Sequence, residues 1–155
     1  MQAPFSAFVA IHPPPKWFTR LISGVTLVSL GNTNKGAILL IKSEGDGGEG
    51  DVKPYYDAIT QGAVTKAYGI LSQARHDDIM GEPSCSKVSS GRCITGVYGY
   101  LGNPTTWFMW QLQGTKDGVR AFGDKTGEFV QPGSDWSSNR SNVGVVATSK
   151  ESLAP

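Results

Sequence analysis

The sequence predicts an α+β domain: a mainly antiparallel sheet of six to eight strands with one central amphipathic helix, Pro54–Ala74, packed on it. Three observations support this. Twenty glycines and nine prolines in 155 residues imply many turns, which suits short strands better than a helical bundle. One stretch has helical spacing: Tyr56, Ile59, Ala63, Ala67, Ile70 and Ala74 recur every three or four residues. The second half is built of short apolar runs divided by turn signals.

The elements follow in order. Phe5–His12 is an apolar strand stopped by Pro13, Pro14 and Pro15, which can neither pair in a sheet nor continue a helix. Leu21–Leu30 and Gly36–Lys42 flank the turn Gly31–Lys35 and read as a β-hairpin. Ser43–Asp51 is a loop. The helix then starts with Asp51 as cap and Pro54 in the first turn. Gly62 and Gly69 would each cost it about 1 kcal/mol relative to Ala, so docking on the sheet must hold it. Cys93–Leu101 is the next strand, Gly102–Thr105 a turn, and Thr106–Gln113 (TWFMWQLQ) a strand apolar on both faces and therefore central. Asp117-Gly118 marks a turn before Val119–Phe122. Glu128–Gln131 and Val143–Thr148 are shorter strands, and Ser134–Asn142 is an exposed loop. Residues 1–148 form a single domain and 149–155 a loose tail.

Composition excludes several classes. Apolar residues reach 39%, ample for a core, so the chain is not disordered. The net charge is +1 with Lys and Arg scattered, which argues against nucleic-acid binding. No apolar run approaches the roughly 18–20 residues of a membrane span, and Met1–Ile11 lacks the basic start of a signal peptide. Cys85 and Cys93 flank a short polar loop and are expected to form a disulfide worth about 2–3 kcal/mol.

No segment has the quality of a catalytic motif. Arg75-His76-Asp77-Asp78 gathers an imidazole and two carboxylates, and an enzyme would use His76 as base with Asp77 or Asp78 orienting it. His12 is the other imidazole that could join His76 at a metal, but no HxH or HxxxH spacing is present and neither a metal nor a cofactor is expected. The aromatic residues are more suggestive. Trp17 and Trp136 fall in expected loop or edge positions, where an indole face can stack on a sugar or a partner protein. Asp135, Asn139 and Arg140 around Trp136 would orient a polar ligand, and Asn139-Arg140-Ser141 is a glycosylation sequon.

Glu44–Lys53, with its run Glu44-Gly-Asp-Gly-Gly-Glu-Gly, resembles the EGDGGxG loop of Bet v 1-like plant pathogenesis-related proteins, a family that binds apolar ligands. The resemblance stops at that loop, since the family's long C-terminal helix has no counterpart here. Ser23–His76 also resembles part of a microcompartment shell domain lacking its first helix.

The leading expectation is a non-enzymatic binding or assembly module: a carbohydrate- or protein-partner-binding domain of a secreted, phage or viral protein, extracellular or virion-associated, and able to form a homo-oligomer. The alternatives are a small hydrolase using His76 and a protein with an apolar-ligand pocket between helix and sheet.

Overall fold

A computed structural model describes residues 6–13, 36–46, 49–60, 64–80, 97–123 and 125–143. It overturns the expected architecture. In place of six to eight mainly antiparallel strands, the described residues form a four-stranded mixed sheet of order β1-β2-β3-β4. β1 (Ala7–Ile11), β2 (Ala37–Ser43) and β3 (Thr65–Leu71) are parallel neighbours, and only β4 (Trp136–Ser141) is antiparallel, to β3. Three α-helices stand among the described residues, not one: α1 (Glu49–Ala58), α2 (Tyr98–Gln113) and α3 (Asp117–Phe122).

Helices on both faces explain why β2 is buried at all seven positions. A parallel strand covered on both sides reads as a continuous apolar run, and Ala-Ile-Leu-Leu-Ile is such a run. Side chains alternate between the faces. Ile38, Leu40, Tyr68 and Ile70 meet Val52, Tyr55 and Tyr56 of α1. Leu39, Ile41, Ala67 and Leu71 meet Tyr100 and Trp107 of α2 and Phe122 of α3. β2 already has parallel partners on both sides, and the expected hairpin strand Leu21–Leu30 lies outside the described residues.

The expected helix Pro54–Ala74 is two elements. α1 ends at Ala58, and Thr65–Leu71 is a strand. The glycine that a helix would carry at a cost is required by the strand. A Cβ at Gly69 would lie 2.5 Å from Cζ of Phe129 and 3.0 Å from Cε3 of Trp136.

Thr106–Gln113 is helical, not a central strand, and α2 also absorbs the expected turn Gly102–Thr105 and the strand end at Leu101. Tyr100, Pro104 and Trp107 are its buried residues, spaced i, i+4, i+7 along one face. Pro104 has no N–H to give the Tyr100 carbonyl. The Thr106 hydroxyl donates to the Gly102 carbonyl (3.0 Å) within the same turn. Gly114, at φ 70°, ends the helix and donates its N–H to the Trp110 carbonyl. Asp117-Gly118 starts α3 instead of turning a hairpin. Gly118 is there for proximity, since a Cβ would sit 1.9 Å from Cγ of Trp110. The expected strand at Glu128–Gln131 is a 3-10 turn, Glu128–Val130, that buries Phe129. The expected exposed loop Ser134–Asn142 is mostly β4, with Trp136 and Ser141 buried. Of Val143–Thr148 only Val143 is described, and it is buried; the tail 149–155 lies outside. No helix among the described residues is long and apolar enough to cross a membrane.

Candidate functional site

Three parallel strands bring their carboxyl ends to one edge of the sheet. β2 leads toward α1 on one face, while the helix that follows β3, α2, packs on the other. Opposed exits from adjacent strands create a crevice where α/β proteins commonly place ligands. Here the loops close it. The Gly45 N–H donates to the Ala74 carbonyl (3.1 Å), and the Gln73 N–H donates to the Glu44 carboxylate (2.7 Å). At the ends of this edge, the His12 N–H donates to the Ile41 carbonyl and the Ser72 N–H to the Asp135 carbonyl (both 2.8 Å).

The open concavity lies one strand over, where β3 ends and β4 begins. It is a cleft of about 530 Å³ with Leu71 and Trp136 at its base. The first turns of α2 supply one wall through Tyr98, Asn103 and Thr106. Asp117 and Arg120 of α3, Glu128 and Asp135 also line the cleft. The lining thus carries three carboxylates and one guanidinium. Arg120 Nη2 is 3.0 Å from Glu128 Oε1, with side chains 78% and 68% exposed; such a pair adds little stability and remains available to a ligand. Val97 gives α2 no side-chain cap and its first turn carries no acid; the Tyr100 N–H donates to the Val97 carbonyl (2.9 Å).

The predicted ligand residues divide. Asp135 and Trp136 are at the cleft, but Trp136 is only 6% exposed, packed 5.0 Å from the Phe129 ring. Its indole is base, not stacking platform, which corrects the expectation of an exposed ring. The exposed ring is Tyr98, at 64%. Asn139 is committed elsewhere, because its amide donates to the Phe129 and Trp136 carbonyls (both 2.7 Å) and ties β4 to the preceding turn. The sequon is therefore in a strand. Arg140 pairs with Tyr68 in the β3–β4 register. Trp17, Cys85 and Cys93 lie outside the described residues.

His76, Asp77 and Asp78 fall in the 3-10 turn His76–Met80. The Asp78 carboxylate is buried and accepts the Arg75 N–H (2.9 Å), while the Asp78 N–H donates back to the Arg75 carbonyl. This is a reciprocal cap that holds the turn. Around His76 the structure gathers a group whose full membership was not legible: the His12 ring centre is 4.6 Å from that of His76 and 5.3 Å from that of Tyr100. The available signal was positional. Both histidines of the chain follow apolar runs, and a parallel sheet brings the ends of such runs together.

The fold and cleft define a mixed-sheet domain covered by helices on both faces, with a polar concavity at the carboxyl edge of its parallel strands. No protein-family model, curated protein or solved structure matches the chain.

Proposed function

We propose that this chain is a non-enzymatic binding domain and that its cleft takes a small polyhydroxylated ligand of the carbohydrate class. The observation that carries the reading is the make-up of that cleft. The exposed Tyr98 ring offers a flat apolar face, and hydrogen-bonding side chains line the same cleft. Asp117, Glu128 and Asp135 are acceptors for ligand hydroxyls, Asn103 and Thr106 both donate and accept, and Arg120 donates. The excess of carboxylates opposes a phosphate or nucleotide and favours a neutral polyol.

Calorimetric titration with a panel of mono- and oligosaccharides tests this. One member should bind, and Asp135→Asn should weaken it by about 10- to 100-fold, the worth of a charge-assisted hydrogen bond. Tyr98→Ala should lose a further stacking contribution of about 0.5–1.5 kcal/mol. If no saccharide binds the folded protein, the reading fails and a protein partner takes its place. A hydrolase working through His76 is the second reading, favoured by the exposed position of that imidazole beside His12. Asp77 or Asp78, in the same 3-10 turn, would orient it. Turnover of a bound saccharide that disappears in His76→Ala would establish the hydrolase.

A further inference from the structure

We infer that His12 and His76 together form a two-imidazole site for a divalent transition metal of the copper, nickel and zinc class. The pair is assembled by the fold, since the residues are 64 positions apart and meet only because β1 and β3 end at the same edge. Metal–nitrogen bonds of about 2.0–2.1 Å put each ring centre roughly 3.2 Å from a shared ion, so ligands at right-angled to tetrahedral angles have ring centres about 4.5–5.2 Å apart. The observed separation of 4.6 Å, with the rings inclined at 55°, falls in that interval.

The backbone favours the same place. His12 (φ 53°) and Gln73 (φ 59°) are the non-glycine residues of positive φ among those described, and they follow β1 and β3. Non-glycine residues in this conformation recur where a fold fixes a functional side chain. Tyr100 backs the His12 ring, and its hydroxyl donates to the Arg75 carbonyl (3.4 Å), next to His76 in the chain. Each imidazole has a second ring nitrogen for a supporting hydrogen bond.

The ligand type selects the metal. Imidazole suits copper, nickel and zinc, with copper(II) highest in affinity, whereas calcium and magnesium require oxygen. Among the described residues no three His, Cys, Asp or Glu side chains gather as metal ligands. Water or a bound ligand therefore completes the coordination, as in sites that keep open positions.

Electron paramagnetic resonance of the intact protein with one equivalent of copper(II) gives a direct test. The expected spectrum shows coupling to two imidazole nitrogens. Each of His76→Gln and His12→Asn should remove one of them and weaken binding by more than the ~10- to 100-fold that losing an outer-shell partner costs. Asn is chosen at position 12 because it tolerates positive φ, and circular dichroism verifies that both variants are folded. A wild-type spectrum without two-nitrogen coupling overturns the inference. So does a spectrum that either substitution leaves unchanged.

Discussion

The two faces of the sheet are packed by different means. On the α1 face, aliphatic residues and tyrosines fill the interface, and a charged side chain fastens the end of the helix. Lys66 donates to the Tyr56 and Ile59 carbonyls (2.8 and 2.6 Å) while its ammonium lies 4.1 Å from the centre of the Tyr56 ring. One cation thus satisfies carbonyls at the C-terminus of α1 and complements its dipole. On the other face an aromatic chain runs from Trp107 through Phe122 and Phe129 to Trp136, with successive ring centres 4.9–5.1 Å apart. Its polar atoms are less well served. The Trp107 indole N–H is fully buried and finds no hydrogen-bond partner among the described residues. The α1 face is pinned by specific polar bonds, whereas the α2 face is held by ring contacts and also carries the cleft. One sheet therefore carries polar pinning on one face and aromatic packing beside the cleft on the other.

Substitutions can break this contrast. The largest effect is expected at Trp107, which is fully buried and touches both Trp110 and Phe122. Trp107→Ala should cost about 3–5 kcal/mol in denaturant unfolding. Lys66→Met keeps much of the stem but removes the ammonium, and should cost about 1.5–3 kcal/mol. If it proves neutral, α1 is not pinned as described. Gly118→Ala drives a methyl into Trp110 and should cost about 1–3 kcal/mol, read as a lower denaturation midpoint with unchanged slope. The smallest effect belongs to Lys53→Ala. It removes an exposed pair with Asp57 one turn along α1, worth about 0.3–0.5 kcal/mol and weaker still at high salt.

What was legible in the sequence follows the same physics. β1 and β2 were visible as apolar runs, the first closed by Pro13 and the second buried on both sides. Their parallel pairing was not, because an apolar run does not state the direction of its neighbour. The helix expected over Pro54–Ala74 coincides with the observed one only at Pro54–Ala58. Ala63, Ala67, Ile70 and Ala74 fit the helical period, yet Thr65–Leu71 alternates equally well between two covered faces. In Trp107-Phe-Met-Trp110 no polar residue sets a phase, so periods of 2 and 3.6 both fit. Tyr100 and Pro104 would have decided for the helix, but Gly102-Asn-Pro104 has the chemistry of a turn. That one misreading hid half of the cleft. Asp135 and Trp136, singled out from sequence, line the cleft, whereas Tyr98, Asn103 and Thr106 join that lining only once α2 is helical.

The most direct test of the proposed saccharide binding is an amide chemical-shift map of nitrogen-15-labelled protein, recorded during titration with the saccharide panel. Binding at the cleft predicts shifts concentrated at Tyr98, Asn103, Arg120 and Asp135, with the α1 face at Val52–Ile59 unmoved. Shifts confined to the α1 face, or no shift with any saccharide, would contradict the account.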